Sequence, residues 1–308
     1  MSRAIALALV ALMGSVAAHA GPYEDAFAAY QKGDYPAAMK LLKPLAEQGN
    51  VNAIYNVGVM YNDSLGVKQD HAEAAKWFKK AVDKGNIYAQ VDLGLLYEYG
   101  NGVPKDYKEA LRLFNLAADK KNPAAEVNLG SMYERGIGVP QDYKQAADWY
   151  RKSGDHGNNA AQYSLGLMYA SGRGVGQDYK QAAAWYRKSA DAGNASAQLN
   201  LGAMYYGGQG VTKDPKEAVK WFRMSAQQGN GHAQFNLATL YTQAEGTPQD
   251  LPRALIWFNA AAVTLTGNEA KIADENSKAV AAKMTRDQLV TAKQLGLKCK
   301  EGDFKDCG

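Results

Sequence analysis

Residues 159–194 read NAAQYSLGLMYASGRGVGQDYKQAAAWYRKSADAGN, and residues 195–230 read ASAQLNLGAMYYGGQGVTKDPKEAVKWFRMSAQQGN. Laid one above the other, they agree at Leu165-Gly166 and Leu201-Gly202, at Met168-Tyr169 and Met204-Tyr205, and at Gly174-Val175 and Gly210-Val211. They agree again at Asp178 and Asp214, Trp185 and Trp221, and Gly193-Asn194 and Gly229-Asn230. Outward from this pair the register holds. Trp149 lies 36 residues before Trp185 and Trp257 lies 36 after Trp221, while Trp77 is two periods before Trp149 with Leu113 at the intervening place. All 5 tryptophans of the chain therefore stand in one column. A fixed period of this size marks a solenoid, in which each unit buries its apolar face only against its neighbours.

Each copy reads as two helices. In the first, helix A, Ala53, Val57 and Met60 fall at i, i+4 and i+7 on one face. Its centre reads Val57-Gly58, Leu93-Gly94, Leu129-Gly130, Leu165-Gly166, Leu201-Gly202 and, degraded, Leu237-Ala238. Glycine in mid-helix costs about 1 kcal/mol against alanine, so its recurrence predicts close approach of another helix. In the second, helix B, Ala74, Trp77, Phe78 and Ala81 again follow helical spacing, and small residues flanking a large ring predict a tryptophan that fills the gap between stacked hairpins.

Helix B opens on Asp70, Asp106, Asp142, Asp178, Asp214 and Asp250. Three residues later come Glu73, Glu109, Gln145, Gln181 and Glu217, with Arg253 breaking the pattern. Aspartate followed by Glu or Gln at this spacing is a capping box, so the carboxylate array reads as helix caps rather than as a metal or catalytic site. Gly66, Gly102, Gly138, Gly174 and Gly210 mark the turn between the helices. Gly-Asn at 49–50, 85–86, 157–158, 193–194 and 229–230 ends helix B with a left-handed glycine and caps the next helix A. At Lys121-Asn122-Pro123 the proline suits the first helical position, and a left-handed Lys121 would be strained.

These columns resemble the Sel1-like repeat family, relatives of the tetratricopeptide repeats with a longer connection between the helices. The resemblance implies an all-α fold, a right-handed superhelical α/α solenoid of stacked antiparallel helix hairpins. Six copies span residues 50–265. Residues 21–49 read as a shortened, tetratricopeptide-like capping unit, because Tyr30 precedes Asp34 by only four residues. Helices near 269–283 and 286–296 are expected within a C-terminal cap at 266–297, the second opened by Thr285 and Gln288.

Residues 1–20 stand apart from the repeats. Arg3, the apolar run Ala4–Met13 and Ala18-His19-Ala20 before Gly21 predict a secretory signal. The run is too short to span a membrane, and Gly21 in place of cysteine argues against a lipid anchor. A periplasmic location is expected, with secretion as the alternative. The formal charge of +4 becomes +3 once Arg3 is removed, an ordinary mixed surface with no nucleic-acid signature. A basic column on helix B, Lys79, Arg151, Arg187 and Arg223, is expected to stay solvated near the helix C-termini. Cys299 and Cys307, in the tail at 298–308, predict one disulfide in an oxidising compartment, pinning the tail and adding little to the stack.

No catalytic motif or metal-ligand spacing stands out. His71, His156 and His232 occupy different columns, so neither a metal site nor a cofactor site is expected. Some Sel1-like proteins bind or hydrolyse β-lactams, which is the enzymatic alternative. Those relatives carry a cysteine pair in each repeat, and the repeats here have none. The resemblance to tetratricopeptide relatives implies that helix A lines the concave face and that the position before Leu-Gly faces the groove. That column reads Asn56, Asp92, Asn128, Ser164, Asn200 and Asn236. Amides that both donate and accept suit the backbone of an extended peptide or a terminal carboxylate. The alternative is an internal amide ladder between adjacent helices A. The expected function is a monomeric protein-binding scaffold or regulator, with a partner such as a membrane sensor's outer domain or an envelope component. A secreted protein engaging a host surface is the second reading.

Overall fold

The computed structural model describes residues 21–301 and Cys307; the expected signal segment lies outside the described residues. The helices run in pairs, and among the described residues there is no strand. The chain forms two compact units, one up to Asp106 and one from Tyr107.

The first unit holds α1 (Pro22–Gln31), α2 (Tyr35–Glu47), α3 (Val51–Asn62), α4 (His71–Asp83) and α5 (Ile87–Tyr99). Each packs on the next in chain order. The tight turn between α1 and α2 is the one expected: Gly33 is left-handed at φ 77° and Asp34 accepts from the Ala37 N–H. Helix A is represented by α3 and α5, helix B by α2 and α4.

The second unit begins with α6 (Tyr107–Ala118) and α7 (Pro123–Arg135), then α8 (Tyr143–Asp155), α9 (Asn159–Ser171), α10 (Tyr179–Asp191) and α11 (Ala195–Gly207). It continues with α12 (Pro215–Gln227), α13 (Gly231–Gln243), α14 (Leu251–Thr264), α15 (Gly267–Ala281) and α16 (Arg286–Glu301). Odd-numbered helices from α7 to α13 are helices A. The core is built between hairpins: Tyr150 of α8, Leu165 and Met168 of α9 and Trp185 of α10 form one cluster, and Tyr186, Leu201, Met204 and Trp221 form the next. Each tryptophan thus closes the cluster begun by the preceding hairpin, so every interface is shared. Trp77, Trp185, Trp221 and Trp257 are buried. Trp149 is only half-buried, with Lys152 Nζ 3.9 Å from its ring centroid.

The mid-helix glycine is explained by the aromatic residue that follows the tryptophan column. A Cβ on Gly58 would lie 2.6 Å from the Phe78 ring, and one on Gly166 would lie 2.5 Å from the Tyr186 ring. No larger side chain fits without moving that ring. In the last copy Ala238 stands in the glycine's place, and Phe258 meets Phe235 at 72°, against 35° for Tyr55–Phe78 and 38° for Tyr163–Tyr186.

The asparagine caps form as expected at Asn50, Asn86, Asn122, Asn158, Asn194 and Asn230. Lys121 is left-handed at φ 58°. Asp70, Asp142, Asp178, Asp214 and Asp250 accept from backbone N–H groups at the start of helix B. The reciprocal half of the box differs. Glu73 and Glu217 accept from the indole Nε1 of Trp77 and Trp221, each at 3.1 Å, because the tryptophan sits one turn on along the same face. Thr285 and Gln288 do make the full reciprocal box.

Three expectations are corrected. The basic column is only partly solvated: Lys79 is exposed, but the arginines are half-buried, Arg151 donating to the Tyr169 hydroxyl at 3.1 Å, Arg223 to that of Tyr241 at 2.8 Å, and Arg187 to that of Tyr205. The guanidinium reaches the following helix A, where a tyrosine hydroxyl supplies the acceptor. The first C-terminal helix runs 267–281 rather than 269–283, with Gly267 inside α15, and the second starts at 286 as expected but runs on to 301. The cysteine pair also does not hang outside the stack. Cys299 and Cys307 are bridged, both are buried, and they share a core cluster with Trp257, Phe258 and Val280. Packing of α16 on α14 carries the bridge there.

Candidate functional site

Two polar columns run along helix A, and they behave differently. Gln162, Gln198 and Gln234 are buried, and each donates its side-chain amide to a carbonyl in the last turn of the preceding helix B. The bonds run to Gly154 at 2.8 Å, Ala190 at 3.0 Å and Ala226 at 3.2 Å. Gln228 completes Gln198 and Thr264 completes Gln234. Glu126 occupies the same column; it is buried and meets Nδ1 of His156 at 2.8 Å. A serine column on helix B adds a parallel tie, Ser153 to the Pro123 carbonyl, Ser189 to Asn159 and Ser225 to Ala195, each at 2.7 Å. The internal polar ladder of this protein is therefore built by glutamines and serines. The 36-residue recurrence of Gln90, Glu126, Gln162, Gln198 and Gln234 was legible in the chain, and sequence reasoning passed over it.

The column two residues further along helix A is more open. Asn56 is buried and donates to the Tyr23 hydroxyl at 2.9 Å. Asp92, Asn128, Ser164, Asn200 and Asn236 are half-buried. Asp92 accepts from the Tyr55 hydroxyl at 2.9 Å. The Tyr186 hydroxyl bonds the Asn200 side chain, and the Tyr150 hydroxyl donates to Glu134 and also reaches Ser164. These contacts are to tyrosines rather than from one asparagine to the next. Beside the column in the second unit stand Tyr163, Leu167, Leu199 and Phe235, half-buried apolar side chains on the same helices. The result is a helix face with polar groups that can both donate and accept, flanked by apolar surface.

Burial pushes the Tyr186 phenol up to about 12, with the bond to Asn200 acting the other way. Burial and then Asp92 raise Tyr55, while burial and then Glu134 raise Tyr150. These hydroxyls stay protonated donors at neutral pH.

The histidines are not brought together. His71 pairs with Asn62 at 2.9 Å, His156 with Glu126, and His232 lies 3.9 Å from Glu269. Among the described residues no cluster of three or more His, Cys, Asp or Glu is placed to hold a metal, and no helix is long and apolar enough to cross a membrane.

The Sel1 repeat model matches residues 26–50, 51–86, 87–122, 123–158, 159–194, 195–230 and 231–262, consecutive units in the register of the tryptophan column. The chain belongs to the Sel1 repeat family. The Sel1 repeat protein from Oxalobacter formigenes is 32% identical, with a TM-score of 0.69 over 83% of this chain and 98% of its own. The protein c5321, a protective antigen present in uropathogenic Escherichia coli strains, is 30% identical, with a TM-score of 0.51 over 93% of this chain and 69% of its own. No curated protein matches the chain. Sel1 repeat proteins generally mediate protein–protein interaction, and the family is generally non-catalytic. The match at 26–50 shows that the shortened first unit belongs to the same repeat series.

Proposed function

We propose that this Sel1 repeat protein is an exported, periplasmic scaffold or regulator that holds a protein partner along the face of its helices A. One observation carries the reading. The internal ties between hairpins are made by Gln162, Gln198 and Gln234, which leaves Asn128, Ser164, Asn200 and Asn236 half-open beside Tyr163, Leu199 and Phe235. An extended segment laid there would find alternating amides and apolar surface, the combination that binds backbone and side chains together. Export rests on Arg3, the apolar run 4–13 and Ala18-His19-Ala20. The intact mass of the exported form should begin at Gly21.

The scaffold reading is tested by changing Asn128, Asn200 and Asn236 together to alanine. Helical circular dichroism should persist, because alanine is the better helix former, while crosslinking capture of the native partner should fall sharply. A triple variant that melts early and captures normally sinks the helix A face. A second reading, a secreted protein acting at a host surface, is favoured by the likeness to the protective antigen c5321. Recovery of the protein in culture medium rather than in the periplasmic fraction would select it.

A further inference from the structure

Helices α13 and α15 both pack on α14, and a cavity of about 120 Å³ lies among the three. Phe258 and Val280, both buried, form its floor. Thr239 and Thr242 of α13 line one side, and Asn276 of α15 lines the other with Lys283, two residues past that helix. Thr239 stands one turn on from Phe235 and Asn236, and Thr242 one turn further, so the cavity continues the same face of α13. Phe235 also meets the floor, its ring centroid 5.3 Å from that of Phe258.

Of the lining residues only Lys283 is ionisable, and among the described residues it has no ion-pair partner. The acids of the surrounding chain are engaged or stand outside the lining. Asp274 pairs with Lys278 at 2.6 Å, Glu269 lies 3.9 Å from His232, and Glu245 bonds the Tyr206 hydroxyl. Glu275 and Asp287 are exposed and do not line the cavity. The threonine hydroxyls donate to the Phe235 and Ala238 carbonyls at 3.0 and 2.8 Å, carbonyls that the helix backbone already bonds. Turning either hydroxyl into the cavity therefore strands no acceptor. Asn276 gives one amide proton to the Ile272 carbonyl at 2.9 Å and keeps the other. A carboxylate seated here gains a cation and several donors, and charge-assisted bonds are about twice as strong as neutral ones. A carboxamide of the same shape takes the donors and forgoes the charge, while a basic side chain is repelled by Lys283.

We propose that this cavity is an anchor pocket for an acidic side chain of the partner's segment, its carboxylate paired with Lys283 and bonded by Thr239 and Thr242. This rests on the reading of helix A as the binding face and adds the chemistry of the partner residue held at its α13 end.

The probes are short alanine peptides capped at both ends, with one central Glu, Gln or Lys, titrated into the full exported chain labelled with nitrogen-15. The glutamate peptide should shift the amides of Thr239, Thr242 and Asn276 saturably and bind about fivefold more tightly than the glutamine peptide. That margin should narrow as ionic strength rises, and the lysine peptide should not bind. Lys283→Gln should erase the preference for Glu over Gln while leaving the glutamine peptide's affinity unchanged. Thr239→Val should weaken the glutamate peptide about threefold, and Lys271→Gln, outside the lining, should change nothing. The amide spectrum of each variant separates loss of binding from loss of fold. Equal binding of the Glu and Gln peptides, no binding of either, or a preference that survives Lys283→Gln overturns the proposal. Tighter binding of an alanine peptide whose only carboxylate is a free C-terminus overturns the side-chain source. If the pocket fails while the asparagine triple still loses its native partner, the helix A reading stands and only the acidic anchor is removed.

Discussion

At Gly166 two effects of opposite sign compete. Alanine there would improve helix propensity by about 1 kcal/mol, yet its Cβ would lie 2.5 Å from the Tyr186 ring. Overpacking of this kind costs about 1–3 kcal/mol, and the ring is held besides by the bond from its hydroxyl to Asn200. Gly166→Ala should therefore lower stability, by up to about 2 kcal/mol, in urea denaturation with the slope unchanged. A more stable variant would mean that the ring yields freely, as Phe258 does opposite Ala238 in the last copy. The tryptophan column can be tested residue by residue as well. Trp185 is buried and Trp149 is half-buried. Trp185→Ala should cost about 3–5 kcal/mol and Trp149→Ala clearly less, measured by the same denaturation. Equal losses would show that solvent reaches Trp149 without weakening its packing.

Between elements, phenols that must stay neutral add bonds to neighbouring helices A, Tyr55 to Asp92, Tyr150 to Glu134 and Tyr186 to Asn200. Burial raises Tyr55, Tyr150 and Tyr186 above the ordinary 10.0, Tyr186 to about 12. Below pH 10 both the folded and the unfolded chain hold these protons, and the contribution to stability is complete. Above pH 10 the unfolded chain ionises first, so stability falls as pH climbs through the folded value near 12. Thermal melts followed by far-ultraviolet circular dichroism should drop steeply over that window, and Tyr186→Phe should soften the drop. A flat profile from pH 9 to pH 12 would contradict this. The ties made by Gln162, Gln198, Gln234 and the serines do not titrate, so they should be unaffected across the same range.

For the molecule as a whole, the bridge between Cys299 and Cys307 decides how the second unit ends. It closes a small loop, for which the entropic gain is about 2–3 kcal/mol, and it buries both sulfurs against Trp257 and Phe258. The double change Cys299→Ala with Cys307→Ala should therefore loosen α14, α15 and α16 first. Amide exchange should rise there while the amides of α3 and α4 keep their protection, because in a repeat array a loss decays from neighbour to neighbour. Uniform loss of protection along the chain would show that the array unfolds as one cooperative body.

What the chain determined by itself was the part of the repeat that rests on local rules. Hairpin pairing, the cap residues, the left-handed turns and the buried tryptophan column follow from local rules applied in the same register each time, so Asp178, Asn194 and Trp185 could be placed from spacing alone. What only the tertiary structure decided was which polar column ties the stack together and which faces outward. Asn200 and Gln198 are two residues apart on one helix, both amides, both recurring, and propensity does not separate them. The difference is geometric: Gln198 points at the open carbonyl of Ala190 and is sealed there, while Asn200 meets only a tyrosine hydroxyl and stays half-open. The same holds for the arginines and for Cys299. Their partners, Tyr205 and Tyr241 for Arg187 and Arg223, and Trp257 and Phe258 for the bridge, come from other helices, and a register along one chain does not say how far a side chain reaches into the next layer.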